Sequence, residues 1–339
     1  MFFKIDFLFK ISYLTMNATV AANSNNEFIF THEVRLNNFR NYKPVPNVVS
    51  LDKSCVWNLD NQQDHVWEFV SKELTISMVC DGHGRDNVIN YLRSLSDEYL
   101  LHVCQLSNPF DKLENDMENC INTFDSGACI SIVRTNNVDK VEVFWIGDTM
   151  TQVYKNGIKI AQTETHTGEN KSEYERKLNE GAIFTTEMGI YLLPEFTNNP
   201  HITMNKIKRC VHNPKGFMNK ECLQITRSSG HKAFTSKPGE NYGYMEINFD
   251  PSDDIKIITA SDGVWDVIHE NENISFLPDA TDLVLYAAQR WCDDWNYIHH
   301  SEHRCKKCKC KKNDEIIMSV QKGIAPDDIS ASLIHLPSI

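Results

Sequence analysis

The chain has 339 residues, enough for one large domain or two smaller ones. An apolar fraction of 41%, with 10% aromatics, excludes wholesale disorder. A net charge of −12 excludes a general nucleic-acid binder, which needs basic excess to displace counterions, and fits a protein that gathers cations.

No run is long and apolar enough for a membrane helix. The N-terminal stretch MFFKIDFLFKISYLTM is hydrophobic but broken by Lys4, Asp6 and Lys10, unlike a secretory signal. It reads as a short amphipathic or disordered leader, with Met16 a candidate alternative start. Residues 1–49 carry many Asn and no clear period, so a loosely ordered lead-in is expected there, followed by one domain over 50–339. Cys55, Cys80, Cys104, Cys120, Cys129, Cys210 and Cys222 are scattered without tight pairing. A reducing compartment and a cytoplasmic location are therefore expected.

LTISMVC (74–80) reads as a buried strand ending at Asp81-Gly82-His83-Gly84, and residues 87–106 have helical spacing of their apolar positions. ACISIVRTNNVDKVEVFWIGDT predicts two strands joined at Asn136-Asn137. TQVYKNGIKIAQT predicts a hairpin turning at Asn156-Gly157. SEYERKLNEGA (172–182) predicts a helix stopped by Gly181. Residues 185–222, rich in Asn, Pro and Lys, read as an irregular surface excursion. IKIITASDGVWDVI (255–268) repeats the strand, Asp-Gly, helix pattern; 281–298 predicts an amphipathic helix, and ISASLIHL (329–336) a closing strand. These elements predict one compact α+β domain.

An aspartate recurs at strand edges: Asp64, Asp81, Asp148, Asp262 and Asp327. Singly, each reads as a turn or cap residue. If the strands lie side by side, however, the acids meet at one rim and cannot all stay ionised without cations between them. Hard oxygen ligands favour magnesium or manganese.

The set CDGHG (80–84), SGACISIV (126–133), WIGDT (145–149), LQITRSSGH (223–231), TASDGVWDV (259–267) and DDISASLIHL (327–336) resembles the metal-dependent type 2C serine/threonine protein phosphatases, in order and spacing. THT (165–167) and the helix after it match the segment between the central and late motifs. The resemblance covers about residues 50–339. It implies a four-layer α-β-β-α sandwich of two antiparallel sheets flanked by helices, with the metal site at one end of the sheets. It also implies that Asp81 bridges two Mg2+ or Mn2+ ions, that the Gly82 carbonyl helps hold the second, and that Asp262 and Asp327 complete the first. Asp64 would orient water, His83 would protonate the leaving oxygen, and Asp148 with Asp262 matches a third, weaker metal site. The implied reaction is hydrolysis of phosphoserine or phosphothreonine in phosphorylated protein substrates.

The chain also departs from the family pattern. Leu59 stands where members often carry a phosphate-gripping arginine, leaving Arg85 either a replacement cation or a solvated surface residue. Gln63 stands for a frequent glutamate, Asp328 for asparagine, and His231 for an aspartate. These changes motivate a second reading, a catalytically silent phosphatase-like scaffold; a third is a phosphatase of small esters. Residues 185–222 fall in the family's flap region and carry Lys206, Lys208, Arg209, Lys215 and Lys220, either a solubilising loop or a docking flap for acidic partners. An insertion at 299–312 gathers His299, His300, His303, Cys305, Cys308 and Cys310. Its ligand types suit structural zinc, with Cys305, Cys308, Cys310 and His303 as the candidate set. Its spacing is incomplete, so a mobile basic loop is the leading expectation.

Overall fold

The computed structural model describes residues 14–22, 28–36, 47–58, 62–192, 204–212, 222–232, 242–268, 272–292, 295–299, 317–321 and 327–338. In chain order these form β1 (Leu14–Ala22), β2 (Phe28–Leu36), β3 (Asn47–Ser50), β4 (Ser54–Asn58), β5 (Asp64–Val70) and β6 (Thr75–Gly84). Helices α1 (Asn87–Ser94), α2 (Asp97–Cys104) and α3 (Pro109–Cys120) follow. Then come β7 (Ser126–Thr135), β8 (Lys140–Ile146), β9 (Met150–Lys155), β10 (Ile158–Gln162), α4 (Lys171–Asn179), β11 (Ile183–Leu192), β12 (Met204–His212), β13 (Cys222–Leu223), β14 (Ser229–Gly230) and β15 (Gly243–Asn248). The chain closes with β16 (Ile255–Ala260), α5 (Asp262–Trp265), α6 (Ala280–Cys292), β17 (Trp295–His299), β18 (Ile317–Gln321) and β19 (Ile329–Leu336).

Two antiparallel sheets make the body. One runs β10-β9-β16-β19-β4-β3, the other β15-β8-β7-β6-β5 with β14 added on β7. The inner strands bury one face between the sheets and the other under helices, which is why they read as nearly continuous apolar runs, while the edge strands β10 and β15 stay largely open to solvent. Between the sheets, Val133, Val141, Val143 and Trp145 meet Val153, Ile255, Ile257 and Ile334. Outside the first sheet, Cys55, Trp57, Tyr154 and Leu333 pack on α5 and α6 through Val264, Leu283, Val284, Ala287 and Trp291. Outside the second, Ile76, Met78, Cys80, Ile130 and Ile132 pack on α1, α2 and α3 through Ile89, Leu92, Leu100, Val103, Phe110, Leu113 and Met117. The order helix, sheet, sheet, helix is the four-layer sandwich expected from sequence, and each fully buried Leu or Ile contributes about 1.5–3 kcal/mol to it.

The turns follow their residues. Asn156 (φ 52°) and Gly157 (φ 77°) take the two left-handed positions of the β9–β10 turn. Between β7 and β8, the Asn136 side-chain oxygen accepts from the amides of Val138, Asp139 and Lys140. Gly181, at φ 85°, closes α4 from the C′ position.

Four expectations change. Residues 87–106 are not one helix: Leu95 is extended, and the Ser96 oxygen accepts from the Tyr99 amide at 3.2 Å, so a new N-cap outweighs the continuing period. The helix over 281–298 ends at Cys292, and Trp295–His299 is a strand. Within 185–222, β11 and β12 pair antiparallel from Ile183↔His212 to Tyr191↔Met204; residues 193–203 and 213–221, with Lys215 and Lys220, lie outside the described residues. These strands join β13, β17 and β18 in a further sheet, β13-β12-β11-β17-β18, so the flap region and the strands flanking the His/Cys-rich insertion share one sheet. Within the lead-in, β1 and β2 pair antiparallel from Leu14↔Leu36 to Ala22↔Phe28, as their Thr, Val, Ile and Phe content favours, and β3 already belongs to the body. Leu59 and residues 300–312, including His303, Cys305, Cys308 and Cys310, lie outside the described residues. No helix among those described is long and apolar enough to cross a membrane.

Candidate active site

The β5–β6 ladder sets Asp64 opposite Asp81, and the β6–β7 ladder sets Asp81 opposite Cys129. Alternation along β6 puts Asp81 on the same face as Val79, which packs on Val56 of the other sheet, so both acids sit at the end of the inter-sheet space. From the facing sheet, β16 runs through Ser261 into Asp262, and Asp327-Asp328 leads into β19. Ser261 and Ser330 bind the two chains to each other: the Ser261 amide donates to the Ser330 carbonyl at 3.0 Å, and the Ser330 amide to Ser261 Oγ at 3.0 Å.

The acids repel one another. Asp64 is 2% exposed, and burial, with the charges of Asp328 and Asp327, pushes its pKa up to about 8 against hydrogen bonds from Ser330 and Ser261. Asp81 is raised well above the carboxylate range by burial and then by Asp262, Asp64, Asp148 and Asp327. Asp148 is raised by burial and by Asp266, opposed by a hydrogen bond with the Cys129 thiol. Desolvation and the charges of Asp266, Asp328 and Asp148 move Asp327 up to about 6, against a backbone hydrogen bond from Asp328. Its surface is exposed, so solvent screening makes this shift count for less than that of Asp64.

Close approaches hold the acids in place. The Gly82 amide donates to the Gln63 carbonyl at 2.9 Å, and a Cβ on Gly82 would come within 2.7 Å of that oxygen. The Gln63 amide in turn donates to Asp328 Oδ2 at 2.6 Å, linking the loop before β5 to the approach of β19. A Cβ on Gly147, at φ 92°, would collide with Cys129 Sγ, so only glycine lets the Asp148 turn lie against β7. That turn is clasped by His166. Its Nδ1 accepts from the Gly147 amide at 3.1 Å, and its own amide donates to the Gly147 carbonyl at 2.8 Å. Burial, then Arg227, presses His166 down to about 4, which keeps the accepting nitrogen free of a proton near pH 7.

His83 lies beside Asp81 on β6, over Gly127, whose missing Cβ makes room for the ring. Its Nδ1 meets Nδ1 of His231 at 2.8 Å, and the rings stack with centroids 4.8 Å apart. Burial and His231 lower its pKa to about 3, so it is neutral near pH 7. Its Nε2 is buried and has no hydrogen-bond partner among the described residues.

Sequence reasoning placed Asp64, Asp81, Asp148, Asp262, Asp327 and His83, and electrostatics links these acids at one end of the sandwich. It missed Asp266, whose charge reaches Asp148 and Asp327 and whose spacing of four from Asp262 was the available signal. It also missed Arg93, which donates to the carbonyls of Gln62 and, at 2.8 Å, Asp64. Arg85 stands apart from the acids: its Nε pairs with Asp125 at 2.7 Å on an exposed rim.

The donor chemistry fits a hydrated divalent cation, since acids this crowded need positive charge among them to ionise. Among the described residues, no three His, Cys, Asp or Glu side chains stand close enough to hold an ion unaided. Magnesium commonly keeps several waters and takes only one or two carboxylates, so this spacing is compatible with it.

The family model described as Protein phosphatase 2C matches residues 70–295. Among solved structures, a sex determining protein of C. elegans aligns with a TM-score of 0.53 at 14% identity, over 86% of this chain and 64% of that one. This chain therefore spans less than two thirds of that protein. A serine-threonine phosphatase 2C from Toxoplasma gondii aligns with a TM-score of 0.49 at 14% identity, over 86% and 99% of the two chains. A serine/threonine phosphatase of Mycobacterium tuberculosis aligns with a TM-score of 0.41 at 12% identity, over 87% and 97%. At these identities a likeness shows the fold alone, and only the first supports even that. No curated protein sequence matches this chain.

Proposed function

This chain belongs to the protein phosphatase 2C family, and from that premise we propose that it hydrolyses phosphoserine or phosphothreonine in proteins with the help of Mg2+ or Mn2+. The observation that carries this reading is the set of mutually repelling acids Asp64, Asp81, Asp148 and Asp327 at the mouth of the two sheets, with His83 two residues along β6 from Asp81 and its buried Nε2 unpartnered among the described residues. Asp81, the Gly82 carbonyl, Asp262 and Asp327 would hold the principal ions, and Asp148 with Asp262 a third. Two divalent ions supply water activation near neutral pH and neutralise charge on the phosphoryl group.

The residues do the rest. The reaction breaks the bond from phosphorus to the Ser or Thr oxygen and forms one from phosphorus to a water oxygen. One water proton stays with phosphate, and the other ends on the departing alkoxide. Asp64, set opposite Asp81 on the β5–β6 ladder, orients the attacking water. His83, the candidate general acid, addresses the leaving oxygen through Nε2. Because it is neutral near pH 7, its contribution is a donated hydrogen bond as the alkoxide forms. Arg85 is the candidate phosphate cation, and its reach requires release from Asp125. A silent scaffold has no need of acids so crowded, and is the less favoured reading.

The test is phosphate release from a phosphothreonine peptide with manganese and with EDTA. Turnover confined to the manganese sample is expected. A folded protein that binds manganese yet releases no phosphate would overturn the proposal.

A further inference from the structure

Building on the phosphatase reading, we propose that His231 is a positioning residue for His83: its Nδ1–H donates to His83 Nδ1 and fixes the tautomer that carries hydrogen on Nε2. Two imidazole nitrogens 2.8 Å apart hold one hydrogen between them. If His231 supplies it, the His83 ring accepts at Nδ1 and therefore carries its own hydrogen on the opposite nitrogen. That nitrogen is buried, has no hydrogen-bond partner among the described residues, and is the one that must carry hydrogen for the proposed donation to the leaving oxygen. The nearly parallel stack, with an interplanar angle of 13°, sets the ring direction as well.

The corner bearing His231 is tightly held. Gly230 and His231 both take left-handed φ, 79° and 49°, and a Cβ on Gly230 would meet the Ser126 carbonyl at 2.6 Å. The His231 amide donates to that same carbonyl at 2.7 Å. Helix α3 grips both sides of the corner. Glu114, 6% exposed, accepts from Ser229 Oγ and, at 3.2 Å, from the Gly230 amide, while Glu118 pairs with Lys232 at 2.7 Å. A non-glycine residue at positive φ, enforced by this many neighbours, points to a placed side chain rather than a tolerated one. A carboxylate here would accept from His83 Nδ1 and could never donate. Histidine reverses that direction without removing the hydrogen bond.

The test uses the full chain with manganese and two substrates. A phosphothreonine peptide leaves as an alkoxide that needs help; 4-nitrophenyl phosphate leaves as a phenolate that does not. His231→Phe keeps a stacking ring but removes Nδ1. His231→Asn puts a carboxamide where Nδ1 stood, and asparagine tolerates left-handed φ. We expect His231→Phe to lower kcat on the peptide about 10- to 100-fold more than on the nitrophenyl ester, with KM little changed, and His231→Asn to recover most of that difference. Equal losses on both substrates, or an asparagine variant no better than the phenylalanine one, would overturn the proposal. Imidazole 15N shifts give a readout independent of turnover. Wild-type His83 should show protonated Nε2 and bare Nδ1, becoming a tautomer mixture in His231→Phe; protonated Nδ1 in the wild type would overturn it. A manganese-loaded wild type that cleaves neither substrate defeats the phosphatase reading, and the 15N shifts still decide the tautomer.

Discussion

Asp81→Asn is expected to lower metal-dependent phosphate release by about a thousandfold while raising the melting temperature of the metal-free protein at pH 8. Both effects come from one carboxylate. Burial and the charges of Asp262, Asp64, Asp148 and Asp327 hold Asp81 well above the ordinary range, so ionising it in the empty fold costs stability. Asparagine keeps the shape and removes the charge. The same change takes away a carboxylate that would hold the ions. Several kcal/mol of charge stabilisation goes with it, and each ~1.4 kcal/mol is a factor of ten in rate. A structural carboxylate behaves the opposite way, since removing one partner of a paired charge destabilises. Peptide turnover beside thermal melting in EDTA checks this, and a fall in both quantities would show that Asp81 serves the fold.

Metal-free stability should drop between pH 6.5 and pH 8, and saturating magnesium should largely abolish the drop. For acids raised in the fold, the sign is fixed by proton binding. Asp64, at about 8, keeps a proton that an unfolded aspartate loses near ~3.9, so its contribution is best at low pH and worsens as pH rises toward 8. The buried histidines act the other way. His65 and His166, lowered to about 4, and His83, lowered to about 3, contribute stability that is full above the unfolded value of ~6.5 and lost as pH falls below it. Above pH 6.5 these histidines are silent and the acids alone set the slope. Glu114, pushed up to about 7 by burial, leaves a smaller slope that metal does not touch. Melting temperatures at the two pH values, in EDTA and in magnesium, measure this directly. A flat metal-free profile would mean that the acids are not crowded as described.

The parts of the fold legible in the sequence were those set by local chemistry. Asn156-Gly157 dictated its hairpin, Gly181 closed its helix, and the apolar runs at 74–80 and 255–260 marked strands buried on both faces. Where a local preference competed with a periodic pattern, the pattern misled. Ser96 caps a second helix inside a continuous apolar period, and the Asn- and Lys-rich stretch after residue 183 forms paired strands whose partners lie far along the chain. Strand pairing of that kind depends on non-local contacts that no window of sequence contains.

The candidate site divides the same way. Asp64, Asp81, Asp148, Asp262, Asp327 and His83 could be named because each sits at a strand edge in a recognisable motif. Their supports could not, because support is a property of space. His166 is 19 residues from Gly147, and His231 is 148 residues from His83, yet each fixes the other's geometry through a single ring nitrogen. Sequence comparison marked His231 only as a departure; the structure shows it in direct contact with His83. Arg85 illustrates the reverse. A cation two residues from His83 invites a substrate role, and in the fold it pairs with Asp125 on an exposed rim, from which that role requires its release.

The most direct measurement is a calorimetric titration of manganese into the metal-free protein at pH 7, repeated in two buffers of different ionisation heat. Acids that hold protons in the empty site must release them when a cation takes their place. Saturable binding is expected, with an apparent heat that differs between the buffers by the heat of the released protons, and with both binding and release reduced in Asp81→Asn. Absence of binding, or a heat independent of buffer, would contradict a divalent-cation centre built on Asp64, Asp81, Asp262 and Asp327.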